Sequence, residues 1–350
     1  MTYCSASFVS ILNRSRYVAG VSRPPVAFWI PNWTTAELEQ LDPVRDWRLL
    51  MNSGDDWITQ TYLHLRDAGY PVVAVHSPPA DGTVVVHIRR FEEITHASPP
   101  PRLRIVSVRA EVLPARRDAD WEIVQNAAAA RRRRTSFIPV WPQACLIPRD
   151  LDRDPTVQRI GYKGFAQNLH PYFRSDVWAD ELEKRKIEWR PEFWDDLDPP
   201  EWQDFSDLDL ILAVRPSLRR RYRNKPASKL VNAWLAGVPA IAGREHPFRE
   251  LRRSGDDYIE ISRPEQALSA IDALRSDSDR YGRAVAAGLE RGTQFSTSAV
   301  VERWIEVLEI VGSAKRPSAR MWEIQRRYYA SARRSRLAAS RARRRLARLR

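Results

Sequence analysis

From Val26 onward, short apolar runs alternate with amphipathic stretches, and this alternation predicts most of the elements. Val26 to Ile30 has no polar position, the pattern of a strand buried on both faces, and Pro31 to Trp33 ends it. Asp42 to Asn52 shows no clear period and fits a loop or a short helix. Trp57 to Ala68 carries apolar residues at helical spacing, with Ser53 or Asp55 placed to cap it, Gly54 letting backbone come close to a ligand, and Gly69 ending it. Val72 to Val75, Val84 to Ile88, Ile105 to Val108, Glu122 to Gln125 and Phe137 to Val140 follow as strands. Alternation of this kind predicts a parallel sheet covered by helices.

Pro139 to Pro155 is rich in proline and charge without a period, and predicts the crossing into a second domain. Ile160 to Gly164 opens that domain as a strand, and Gly164 to His170 is the loop beyond it. Asp180 to Lys186 reads as a helix, Ile187 to Trp189 as a short strand, and Pro191 to Phe205 as an irregular loop rich in tryptophan. Leu208 to Val214 is a strand running into Arg215. Pro226 suits a helix start, and Leu230, Ala233 and Trp234 share one helix face while Lys225, Lys229 and Asn232 share another. Gly237 stops this helix, Val238 to Ala242 is a buried strand, Pro247 to Arg253 a short helix and Tyr258 to Ile261 a further strand. Pro264 to Leu274, Ser278 to Leu289 and Ser298 to Val311 are amphipathic helices.

The fold class expected is therefore α/β, with two Rossmann-like domains and a basic C-terminal tail. An extension covers residues 1–23, the two domains 24–145 and 146–312, and the tail 313–350, a division that suits a chain of 350 residues. The net charge of +13 is confined to the tail: residues 314–350 hold 14 Lys or Arg against one acid, Glu323, and the rest of the chain is balanced. That removes the usual electrostatic footprint of a nucleic-acid-binding body. Cys4 and Cys145 are the only cysteines, so a disulfide framework is excluded and a reducing cytosol is the expected compartment. No run reaches the roughly 18 apolar residues of a membrane span, and no charged segment precedes SFVSIL as a signal peptide requires. The six histidines lack metalloprotease spacing, and no P-loop or nucleophile-elbow pattern occurs. No metal site is expected.

In doubly wound domains, ligands sit beyond the carboxyl ends of the strands, where helix N-termini offer N–H groups to phosphate. Arg215 at a strand end, with Lys225 and Lys229 at a helix start, suits that place; solvated lysines and an arginine held by Asp207 are the structural alternatives. Pro226, Ser228, Lys229 and Leu230, followed by Ala236 to Ile241 and then Glu245 and Glu250, resemble the donor-binding half of GT-B glycosyltransferases. The local pattern covers about forty residues, and the architecture extends the likeness over most of the chain. The resemblance implies a nucleotide-diphosphate sugar as donor substrate, with no separate cofactor. It implies Arg215 and Lys229 as catalytic contacts to the diphosphate, and Asn168, Asn224, Lys225, Ser228, Asn232, Glu245 and Glu250 as donor contacts. It also places Gly54 and Asp55 in the acceptor-binding loop, where a plain helix cap is the alternative. Retaining members carry two glutamates eight apart against the donor sugar and ribose; this chain has Asn224 and Asn232 there, which still hydrogen-bond hydroxyls without charge. Lys163 and Asn168 stand in the expected phosphate loop.

The function expected is transfer of a hexosyl or related group from a nucleotide sugar to a glycan or lipid-linked acceptor, in surface polysaccharide synthesis. The expected location is cytoplasmic, peripheral on the inner face of the membrane through an anionic surface that residues 314–350 would contact. Other classes open at this point are a nucleic-acid-binding protein anchored by the tail and a GT-B protein that binds nucleotide without turnover.

Overall fold

A computed structural model describes residues 24–51, 56–96, 102–112, 115–116, 118–194, 201–218, 222–315 and 319–348. The N-terminal extension and the candidate acceptor residues Gly54 and Asp55 lie outside the described residues, as does the Arg219 to Arg221 run. The chain packs as two compact units, Met1–Ile138 with Val301–Arg350, and Pro139–Val300.

The first unit contains β1 (Val26–Trp29), α1 (Thr35–Gln40), α2 (Asp56–Asp67), β2 (Val72–Val75), β3 (Gly82–His87), α3 (Phe91–His96), β4 (Leu103–Val108), β5 (Trp121–Val124) and β6 (Thr135–Phe137). All pairings are parallel and the order is β2-β1-β3-β4-β5-β6. Every residue of β1 is buried, as its unbroken apolar run requires. Val84, Val86, Leu103 and Ile105 pack with Phe91 and Ile94 of α3 on one face of the sheet. Two helices went unread in the sequence, α1 and α3, because each is only six residues long; Thr34 and Glu37 of α1 form a capping box that was the available signal.

The second unit contains β7 (Arg159–Gly164), α4 (Asp176–Lys184), β8 (Glu188–Phe193), β9 (Leu210–Ala213), α5 (Ser228–Leu235), β10 (Ala240–Gly243), α6 (His246–Arg249), β11 (Ile259–Ile261), α7 (Gln266–Ser276) and α8 (Ser278–Gly292). Its sheet is also parallel, ordered β11-β10-β9-β7-β8, so the winding reverses between β7 and β9. β8 runs through Pro191 to Phe193 where a loop was expected; it pairs only with β7, and an edge strand tolerates proline. Asp209 ties the entry of this unit to the sheet: its carboxylate accepts from Arg149, Arg153 and the backbone N–H groups of Gln158 and Arg159. That network accounts for the Asp207-Leu208-Asp209 segment as structure.

α5 is the element that matters most for the site, and its ends follow from sequence. No side chain caps its N-terminus, where Ala227 stands. At its C-terminus Gly237 takes φ +68°, its N–H bonds the Trp234 carbonyl, and the Val238 N–H bonds the Ala233 carbonyl, which is a Schellman closure. Leu230, Val231, Ala233 and Trp234 are buried, and the Trp234 indole donates to the Asp257 carbonyl at 2.6 Å. α8 lies close against α5 because it presents glycine there: a Cβ on Gly292 would stand 3.2 Å from the Leu235 nitrogen, and one on Gly288 3.1 Å from the Trp234 ring.

α9 (Thr297–Ser313) starts in the second unit and from Val301 belongs to the first. α10 (Ala319–Arg348) follows as one 30-residue helix. Among the described residues no helix is long and apolar enough to cross a membrane. Gly292→Val should force α8 off α5 and cost about 1–3 kcal/mol by overpacking. In urea denaturation the midpoint should fall with an unchanged slope.

Candidate functional site

The winding of the second unit's sheet reverses between β7 and β9, and the carboxyl ends of the strands at such a reversal are where doubly wound domains bind ligands. Four of the residues picked from sequence meet there. Arg215 follows β9 and its Nε donates to Glu245 Oε2 at 2.8 Å, while Nη1 donates to Asn168 Oδ1 at 3.1 Å. Asn168 comes from the loop after β7, which is fixed across the end of β9 by the His170 N–H to the Val214 carbonyl, 2.9 Å. Glu245 follows β10. Lys229, in the first turn of α5, turns its ammonium inward, donates to the Lys163 carbonyl and lies 4.6 Å from the centroid of the Tyr162 ring.

Gly164 makes this arrangement possible. Its φ of +143° belongs to glycine, and a Cβ there would fall on the Lys229 ammonium. Two more residues at the site carried no sequence signal. Tyr162 lies flat beneath Lys229, and its hydroxyl donates to the Phe165 carbonyl at 2.8 Å. Tyr222 stands under the Arg215 guanidinium, 5.4 Å from it, and its hydroxyl accepts from the Ser217 N–H.

Burial governs the charges here. Desolvation lowers the Lys229 pKa to about 7, with Arg215 pushing the same way and Glu245 opposing. Desolvation also raises Glu245 to about 7, against the pull of Arg215 and Lys229. Glu245 is 2% exposed, one oxygen is committed to Arg215, and the other, Oε1, is buried with no hydrogen-bond partner. Two cations, one such carboxylate and an uncapped helix start suit a ligand that is anionic at one end and carries hydroxyls near it.

The remaining candidates are placed differently. Asn224 and Lys225 lie on the approach to α5, and Ser228 is its first residue. Asn232 is engaged structurally: its Oδ1 accepts the Gln143 N–H at 3.1 Å, holding the segment that enters this unit. Glu250 ends α6 beside His246, 3.3 Å away. Lys163 does not serve the phosphate loop, because side chains alternate along β7 and its ammonium bonds Glu192 at 2.5 Å and the Glu201 carbonyl at 3.1 Å. Arg215 pairs with Glu245, while Asp207 pairs with Arg159 and Arg190.

Among solved structures, the chain is similar to HepE of Anabaena in complex with UDP-glucose, with 13% identity, 82% of this chain and 100% of that chain covered, and a TM-score of 0.50. It is likewise similar to an alpha1,3-fucosyltransferase, with 10% identity, 87% and 95% covered, and a TM-score of 0.51. The chain has the GT-B fold. At this identity the likeness is one of fold. No family model and no curated protein matches the sequence. Within this GT-B chain, Gly164→Ala should displace the Lys229 ammonium and strain the backbone, lowering stability by about 1–3 kcal/mol. Urea denaturation of variant and parent measures it.

Proposed function

We propose that the protein is a glycosyltransferase that moves a hexosyl or related group from a nucleotide-diphosphate sugar to a glycan or lipid-linked acceptor, in surface polysaccharide synthesis at the cytoplasmic face of the membrane. The observation that carries this reading is the gathering of Lys229, Arg215, Asn168 and Glu245 at the winding reversal of the second unit. Two features support the donor class. The GT-B fold is shared with a protein whose structure contains UDP-glucose. The second is the site's own chemistry, cations for a diphosphate and a buried carboxylate oxygen for a hydroxyl.

Catalysis in this reading rests on the leaving group. As the glycosidic bond breaks, negative charge grows on the diphosphate, and Lys229, Arg215 and the first N–H groups of α5 would stabilise it. Glu245 has two tasks. Oε2 holds the Arg215 guanidinium at its angle, and Oε1 accepts a hydroxyl of the donor. Asn224 and Lys225, on the approach to α5, complete the donor's surroundings. Acceptor recognition belongs to the first unit, where Gly54 and Asp55 remain the candidates.

Calorimetry with UDP, GDP and pyrophosphate, followed by turnover assays with the matching nucleotide sugars, tests the reading. Binding of one nucleoside diphosphate together with turnover supports it. Binding without turnover leaves a nucleotide-binding protein, and absence of binding refutes the site. Lys229→Ala should weaken diphosphate binding by about ten- to hundredfold, the loss of one charge-assisted contact worth about 1.5–3 kcal/mol. Affinity should also fall as pH rises through about 7: Lys229 loses its positive charge and Glu245 gains a negative one, and both changes oppose an anion. Titrations from acid to alkaline pH, in buffers of differing ionisation enthalpy, should show proton uptake on binding near neutrality.

A further inference from the structure

We propose that α10 is a fixed arm that lays the protein on an anionic lipid bilayer. This surface is separate from the donor site, and its failure leaves the donor reading intact. The basic segment is not a loose tail. Trp322 is 5% exposed, and the guanidinium groups of Arg134 and Arg326 both lie over its ring, 5.3 and 5.2 Å from the centroid. Arg326 bonds Asp120 Oδ2 at 2.7 Å, and that oxygen also accepts the Ile105 N–H at the start of the third β4 residue's peptide, 2.8 Å. One side of the helix is thereby pinned to the sheet of the first unit.

The opposite side is turned outward. Met321, Ile324 and Tyr328 are 51%, 55% and 69% exposed, and their spacing of three and four residues puts them on one stripe. Beside it stand Arg320, Arg327 and Arg334, all exposed and seven residues apart, and the sequence continues the spacing at Arg341 and Arg348. Seven residues are almost two helical turns, so Arg320, Arg327 and Arg334 form one slowly drifting row about 20 Å long. Arg327 pairs with Glu323, the only acid of the helix, in an exposed contact that salt and solvent screen.

An apolar and aromatic stripe alongside a row of arginines matches an anionic bilayer: the arginines meet lipid phosphates while Tyr328, Ile324 and Met321 enter the headgroup boundary. An RNA duplex would meet the same charges but leave the isoleucine and methionine in water. Because the other side is clamped by Trp322, the bilayer holds the first unit in one orientation rather than on a tether.

The test is cosedimentation of the full chain with phosphatidylcholine vesicles and with vesicles that include phosphatidylglycerol, at low and high salt. Wild-type protein should pellet with the anionic vesicles at low salt and stay in solution with neutral ones. Substituting glutamine for Arg320, Arg327, Arg334, Arg341 and Arg348 together should lower the partition coefficient by more than about tenfold, since each basic residue near the surface adds attraction. Ile324→Ser with Tyr328→Ser should retain low-salt binding but lose most of what survives at high salt. Wild type that ignores anionic vesicles overturns the proposal, as does a glutamine variant that pellets like wild type. Salt-sensitive capture of an RNA homopolymer without any vesicle binding overturns it too.

Discussion

A lysine ammonium packed against the last peptide of a strand is the constraint on which this protein's site depends. Lys229 is taken from water, and the loss is offset by the Lys163 carbonyl, the Tyr162 ring and the nearby Glu245 carboxylate. Each partner sets a condition on the chain. Residue 164 has to be glycine because a side chain would occupy the ammonium's place, and residue 162 has to offer an aromatic face on the inner side of β7. α5 has to end where it does so that its first turn points at β7, which the Gly237 closure and the glycines of α8 secure. A cation held this way, at a pKa near neutrality, is poised to gain charge when an anion arrives.

Much of this was readable in the sequence, for definite reasons. Strands such as β1 and β2 are unbroken apolar runs between turn residues, so period and length decide them. Arg215 and Lys229 each follow or face a strand end, and the rule that ligands meet strand ends in a doubly wound sheet picks them out, while Glu245 follows only from the resemblance to GT-B glycosyltransferases. What failed to show was what depends on side-chain direction. Lys163 and Lys229 look alike in sequence, yet one pairs with Glu192 and the other turns into the site. Asn232 sits at the spacing of a donor contact and instead holds Gln143. Tyr162 lies in a strand run and Tyr222 in a basic stretch, and only the fold reveals that each lies under a cation.

The C-terminal basic run shows the same limit. Its composition points to contact with an anionic surface, but its apolar positions form no clean stripe that would say how a helix is turned. The helix is decided by contacts from distant parts of the chain: Asp120 comes from the segment before β5 and Arg134 from the one before β6, and both engage the first turns of α10. Charge therefore becomes geometry. The row of arginines has a direction relative to the first unit's sheet because Trp322 fixes the helix's rotation.

A crystal structure of the protein with UDP bound is the most direct test of the site. The diphosphate should lie at the carboxyl ends of β7 and β9, with phosphate oxygens within hydrogen-bonding distance of the Lys229 ammonium and the Arg215 guanidinium. UDP bound in the first unit, or in the second unit with its phosphates away from both cations, would contradict the assignment.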